Sequence, residues 1–197
     1  METTGIFNLL ISKAPEGDDP TENLGRWLYL PASDEQLSQL LQELDVQSYD
    51  ECVFYKLSTT IPKIADLFTD LNQLNTLNTL AKCISKQEQR SCKAVLEFVE
   101  CDTLEQAIDY CENLICFDYY PDLIHPKDFG KYHCDLFAAV SPDLEIYRHI
   151  NFESYGRTQM EFLHIQPTSY GFVSRNDQEP VFRHSKIEEP AIGHPVM

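Results

Sequence analysis

The chain has 197 residues and carries 32 Asp and Glu against 15 Lys and Arg, a formal net charge of −17. Hydrophobic residues at 43% and aromatics at 11% exclude a disordered polyanion and place the charge on a folded scaffold. Direct binding to nucleic acid or anionic lipid is excluded as well, because both need clustered Lys and Arg.

In chain order, Gly5 to Ser12 is an apolar strand, followed by a loop from Pro15 to Pro20. Met1 to Leu10 lacks a basic stretch ahead of an apolar one, so no secretory leader is expected. No run of about 18 apolar residues is present to cross a membrane, and a cytoplasmic location follows. Gly25 to Leu30 is a second strand, stopped by Pro31, which cannot continue a ladder. Ser33 with Gln36 forms a capping box ahead of a helix whose stripe is Leu37, Leu40, Leu41 and Leu44. Cys52 to Leu57 returns as a third strand. Residues 1–60 therefore make a small α/β domain.

Residues 61–101 read as a helical domain. Pro62 suits a helix start, and Leu67, Leu71, Leu74, Leu77 or Asn78, Ala81 and Ile84 recur at helical spacing. Asn72, Asn75 and Asn78 are read as a polar helix surface in preference to a binding face. Ser85 with Glu88 predicts a second capping box, opening a helix that contains Cys92, Val95, Leu96 and Val99.

Residues 102–175 are mixed. Thr103 caps a helix with the stripe Leu104, Ala107, Ile108, Cys111, Leu114 and Ile115, and Phe117 to Tyr120 is a short strand. A loop containing Pro121, Pro126 and Gly130 comes next. Asp135–Val140, Leu144–Phe152 and Phe162–Ile165 are strands or short helices, and Gly171-Phe172-Val173 is a final strand. Residues 176–197, with three prolines, are expected to be a flexible tail.

The acids are unevenly matched by bases. Between Arg26 and Lys56 stand Asp34, Glu35, Glu43, Asp45, Asp50 and Glu51, with no base. Between Lys93 and Lys127 stand Glu97, Glu100, Asp102, Glu105, Asp109, Glu112, Asp118 and Asp122, again with none. Residues 151–197 hold 6 acids and 4 bases and are close to balanced. Uncompensated charge opposes compaction by self-repulsion, so a positively charged partner surface is its natural counterpart. Glu105, Asp109 and Glu112 are spaced to share one helix face. These 14 acids are the candidate partner-binding surface.

Catalytic motifs are absent: there is no glycine-rich phosphate loop, G-x-S-x-G elbow or H-E-x-x-H. Cys134 beside His133 is rejected as a nucleophile–base pair, because neighbours on a strand point to opposite faces. The seven cysteines lack a C-x-x-C pair, which favours free thiols over a disulfide framework. A zinc site from Cys111, Cys116, His125, His133 and Cys134 is disfavoured by the same spacing. Neither catalysis, a cofactor nor a metal is expected.

Four segments together resemble the ArdA family of antirestriction proteins. Gly25-Arg26-Trp27-Leu28-Tyr29-Leu30-Pro31 is similar to the family's G-x-W-x-x-x-P segment, and Ile64 to Leu80, with Leu71-Asn72 and Leu77-Asn78, to its helical Leu-Asn stretch. Ile150 to Arg157 resembles its acidic, aromatic segment ending in Tyr155-Gly156-Arg157, and Thr168 to Val173, with Gly171, its terminal strand. Trp27, Pro31, Asn72, Tyr155, Gly156, Arg157 and Gly171 are the motif positions. Asn151 stands where the family more often has Asp, and residues 176–197 run past the resemblance.

The resemblance implies an α+β fold in an elongated chain of three small domains (α/β, helical, α/β) with an acidic surface. It implies a homodimer formed through residues 102–175 that imitates bent DNA. It further implies occupation of the DNA-binding groove of a type I restriction-modification enzyme in a bacterial host, with no catalysis. The alternative is an acidic adaptor or regulator of another basic, DNA-binding or defence-system protein.

Overall fold

Strand β1, Phe7–Lys13, alternates Phe7, Leu9 and Ile11 into a core with more exposed positions between them, the period-two pattern of a sheet with one covered face. The computed structural model describes residues 5–15, 25–137 and 140–185. They fall into two compact units: one holds the described residues up to 89 with 101–112 and 180–185, the other 90–100 and 113–179. The fold is mixed α+β. No helix among the described residues is long and apolar enough to cross a membrane.

In the first unit, β1 is central in an antiparallel sheet of order β2-β1-β3, with β2 Arg26–Leu30 and β3 Cys52–Thr59. Leu10 pairs with Lys56 while Ile11 pairs with Phe54, so Tyr55 is an extra residue bulged out of β3. Pro31 ends β2 through a cis peptide bond with Leu30. The loop expected from Pro15 to Pro20 lies, beyond Pro15, outside the described residues.

Helix α1, Asp34–Glu43, starts at the predicted capping box. Ser33 Oγ accepts from the Gln36 N–H (3.3 Å), and Gln36 Oε1 accepts from the Ser33 N–H (2.8 Å). Leu40 on the helix and Leu44 at its C-terminal cap are buried. Helix α2, Pro62–Leu67, has Pro62 in its first turn, where a missing N–H costs nothing. The helical period then breaks. Asp70 Oδ1 accepts from the Asn72 N–H (2.8 Å) and turns the chain before α3, Leu74–Lys86.

Asn78 corrects the assignment of the asparagines to a polar surface. It is buried on α3 and makes a two-way bond across 46 residues. Its Oδ1 accepts from the Ala32 N–H (2.8 Å) and its Nδ2 donates to the Ala32 carbonyl (3.0 Å). Helix and post-strand loop are thereby pinned together. Asn72, the motif position chosen from sequence, is exposed, and its recorded bond uses its backbone. Asn78→Ala leaves two buried backbone groups unmatched and is expected to cost about 2 kcal/mol in urea unfolding. Asn72→Ala should stay within about 0.5 kcal/mol. Equal effects of the two would contradict this division of roles.

Helix α4, Gln89–Phe98, starts after α3 has ended at Lys86. Ser85 is therefore inside α3, and the predicted capping box with Glu88 does not form; the apolar period through Ile84 carries the helix past it. Helix α5, Leu104–Glu112, starts as predicted, with Thr103 Oγ1 accepting from the Gln106 N–H (3.2 Å). It packs on α3, and Leu104, Ala107, Ile108 and Cys111 are buried.

In the second unit, β4 Phe117–Tyr120 and β5 Gln166–Thr168 flank β6 Gly171–Arg175, all antiparallel. Two long helices, α6 Pro126–Phe137 and α7 Phe152–Phe162, cover them with a core of Phe129, Met160, Ile165 and Phe172. The loop expected around Pro126 and Gly130 is helical, and of the two alternatives for the segments after it, strand or short helix, the described residues largely take the helix. Pro126 is a helix start, and Gly130 sits buried where α6 meets α7. A Cβ on Gly130 would lie 2.1 Å from the Phe152 carbonyl oxygen, and one on Gly156 1.9 Å from that of Pro126. Only two glycines allow backbones this close. None of the seven cysteines is in a disulfide, and Cys92, Cys111, Cys116 and Cys134 are buried.

Candidate protein-binding surface

Helix α1 concentrates acid at one end. Asp34 and Glu35 occupy its first turn, where the positive end of the helix dipole favours negative charge, and its last turn has no base. A hydrogen bond from the Ser33 side chain and one from the backbone hold the Glu35 carboxyl below its ordinary range. Both acids are exposed. Glu43, at the far end, lies 3.8 Å from Arg26 Nε and accepts from Gln39 Nε2 (2.8 Å). Asp45, with a φ of 54°, makes the left-handed turn that follows, a conformation Asp tolerates.

Asp50 and Glu51 lead into β3 and are exposed. Glu51 also closes its own turn, its Oε1 accepting from the Gln47 and Ser48 N–H groups (3.0 and 3.1 Å). Asp102 and Glu112 are exposed at the two ends of α5. In the second unit Glu100, Asp118 and Asp122 are exposed, Asp122 standing 4.0 Å from Arg90 Nη1. Eleven of the 14 predicted acids are therefore exposed within their units.

Three are committed to the fold instead. Asp109 is 0% exposed, which corrects its assignment to the binding surface. Its Oδ1 accepts from the Arg183 and His184 N–H groups (2.7 and 2.9 Å), and its Oδ2 from the Ser185 N–H and Oγ–H (both 2.7 Å). Burial pushes its pKa up, but these donors outweigh it, and the carboxyl ends below its ordinary value. Phe182 stacks edge-on against Tyr110, and His184 Nε2 lies 3.3 Å from Glu112. Residues 181–185 thus lie along α5 through specific contacts, whereas 186–197 of the expected tail lie outside the described residues.

Glu105 is half-buried, accepting from Thr76 Oγ1 (3.4 Å). Glu105, Asp109 and Glu112 therefore do not form one solvent-facing row, because that side of α5 is where other parts of its unit attach. Glu97 is half-buried too. Its carboxylate accepts from the Ser169 N–H (3.0 Å) and Oγ–H (3.1 Å), holding the β5–β6 turn. Arg90 Nε donates to the Tyr170 carbonyl of the same turn (3.2 Å).

Among the described residues no group of three or more His, Cys, Asp or Glu is placed to hold a metal ion. Cys134 and His133 share α6, a helix rather than the strand expected. Burial and the neighbouring Asp135 charge push the Cys134 thiol up, away from the thiolate a nucleophile needs. His133 Nδ1 is bonded to the Tyr155 hydroxyl (2.9 Å).

A family model for antirestriction proteins (ArdA) matches residues 21–174, most of the chain. The chain belongs to the ArdA antirestriction family. No curated protein matches it. Proteins of the family are non-catalytic inhibitors of restriction-modification enzymes, which makes the chain an antirestriction, anti-defence protein.

With the family in hand, the motif positions can be given physical reasons. Trp27 and Tyr29 are exposed on β2, an edge strand. Tyr155 and Gly156 bind α7 to α6, by a hydroxyl bond to His133 and by bare backbone. Arg157 is exposed and pairs with Glu153 one turn back (2.6 Å). Gly171 has a φ of +135°, and a Cβ there would meet the Tyr120 carbonyl at 2.4 Å. Asn151 caps α7, its Oδ1 accepting from the Ser154 N–H (3.1 Å), a task that Asn or Asp performs equally. Residues 175–185, past the family match, include the Asp109 ligands.

Proposed function

We propose that the chain is a polyanionic DNA mimic that, as a homodimer, occupies the DNA-binding groove of a type I restriction-modification enzyme. In this way it protects incoming mobile-element DNA in a bacterial cytoplasm. The observation that carries the reading is the set of 11 exposed carboxylates in two base-free stretches of sequence. Enzymes that grip duplex DNA meet its phosphates with rows of Lys and Arg, and such rows attract any surface of matching negative charge. A non-catalytic inhibitor of such an enzyme needs no more chemistry than this.

Self-association is supported by the exposed Leu136 and Phe137 on α6 and Phe162 on α7, in a part of the sequence with little net charge. Apolar side chains amid balanced charge suit contact between identical copies better than a polyanionic face does. The reading also requires an elongated particle, with the divisions 1–60, 61–101 and 102–175 set along its length. Competition with DNA for the target enzyme tests the function, and light scattering on the same sample tests the dimer. A monomeric mass at working concentration would remove the dimer from the proposal and leave the charge argument standing.

A further inference from the structure

Within the first unit, β2 and α1 enclose a concave space of about 130 Å³. Trp27, Tyr29, Gln36, Gln39, Leu40 and Glu43 are among the residues that line it. Trp27 and Tyr29 are 43% and 42% exposed, so both aromatic residues are open to a guest. They stand two residues apart on an edge strand and so share one face of it. The opposite wall is polar. Gln39 Nε2 donates to Glu43 Oε1, which steadies that carboxylate and leaves the Gln39 amide oxygen as an acceptor. Asp34 and Glu35, at the other end of the same helix, add negative charge.

A pocket whose lining combines two partly exposed aromatic residues with a steadied carboxylate and an amide oxygen selects a particular kind of guest. A planar cation gains from lying on an aromatic face, and its N–H groups need in-plane acceptors at the edge. Guanidinium meets both demands, whereas a lysine ammonium is a compact, strongly hydrated point charge. Glu43 already has a guanidinium nearby, since Arg26 Nε lies 3.8 Å from its Oε2 with both side chains nearly half exposed. That spacing is looser than a bidentate arginine–carboxylate pair and can be exchanged for one.

We propose that this pocket is an arginine-recognition site: one arginine side chain of the partner protein stacks on Trp27 and Tyr29 and is bonded by Glu43 and Gln39. The proposal rests on the reading above that the partner presents a basic surface, and it adds one discriminating contact to a field spread over many charges. Charge alone does not distinguish Arg from Lys; this pocket does.

Trp27 is the sole tryptophan of the chain, so its emission reports on the pocket directly. The full-length protein is titrated with a blocked tri-arginine peptide and, separately, with tri-lysine. The expected result is a saturable change in Trp27 emission, with tri-arginine binding about fivefold or more tightly than tri-lysine. Glu43→Gln, a near-isosteric change at an exposed position, should remove that preference. Equal binding of the two peptides, or an unchanged preference in Glu43→Gln, overturns the proposal.

A second arm uses inhibition of the restriction enzyme. Trp27→Ala and Glu43→Gln, each checked for native circular dichroism, should raise the half-inhibitory concentration about tenfold, as loss of a central anchor does. Full potency in both variants overturns the arginine site while leaving DNA mimicry intact. Failure of the wild-type protein to inhibit overturns the mimicry instead, and the peptide arm then decides the pocket by itself.

Discussion

Replacing Asp34, Glu35, Asp45, Asp50, Glu100 and Asp102 together by their amides is expected to raise the concentration needed for half-inhibition by about 30- to 150-fold. Each of the six is exposed in its unit. An exposed charge facing an opposite one contributes roughly 0.3–0.5 kcal/mol, so six sum to about 2–3 kcal/mol. Each change alone should shift inhibition by about twofold, because potential is a sum over many screened charges. The dependence on salt should flatten in the sixfold variant, since fewer counter-ions are displaced. Glu97, Glu105 and Asp109 are left out because they hold the fold. A variant set built from sequence spacing on α5 would have confused unfolding with lost binding. One exposed acid whose loss abolished inhibition in a folded protein would contradict a distributed mechanism.

Asp109→Ala is expected to lower stability by about 3 kcal/mol and to release residues 181–185 to proteolysis. A buried carboxylate with four donors is strongly coupled to them, hydrogen bonds to a charged group contributing about 1.5–3 kcal/mol each. The sum is not lost in full, because the 181–185 segment can peel away and be hydrated by water. Asp109→Asn keeps the shape but turns an N–H₂ toward donors, and should recover less than half of the loss. The pH dependence has a definite sign. The folded carboxyl titrates below its ordinary value of 3.8, so its contribution is complete above that value. It is lost as pH falls through the lower, folded value. The stability gap between wild type and Asp109→Ala should stay constant from neutral pH to about 5 and close below about 4. A gap that widened on acidification would show that Asp109 is not held as the anion.

Much of the fold was legible because its signals are local. The Ser33–Gln36 box, Pro62 at a helix start, Thr103 ahead of α5 and the strands around Leu9, Phe117 and Phe172 depend on residues within a few positions of each other. The α6–α7 pair was not legible, for a reason of the same kind. Pro126 and Gly130 are turn signals in isolation. Their value here comes from Gly156, 26 residues beyond Gly130, against which only bare backbone fits. Ser85 misled in the opposite sense, because a correct local pattern was overrun by the packing of α3.

The candidate surface divides along the same line. Exposure of Asp34, Glu35, Asp45 and Asp50 followed from base-free sequence on polar helix ends and turns. The roles of Asp109, Glu97 and Asn78 rest on partners 74, 72 and 46 residues away. No periodicity marks such pairs. One signal did exist for Asp109: it lies between Ile108 and Cys111 on the apolar side of α5, where an acid must be paired to be buried. Trp27 was chosen as a motif residue with no role attached, and the arginine site proposed above would give it one.

The most direct test of the central claim is displacement of DNA from its enzyme. A type I restriction enzyme is loaded with fluorescent duplex carrying its recognition site, and the chain is added at about 50 and about 200 mM salt. Release of the duplex and loss of cleavage in parallel, at higher protein concentration in the higher salt, is the predicted result. Duplex that stays bound and is still cut in the presence of a large molar excess of folded protein would contradict the account.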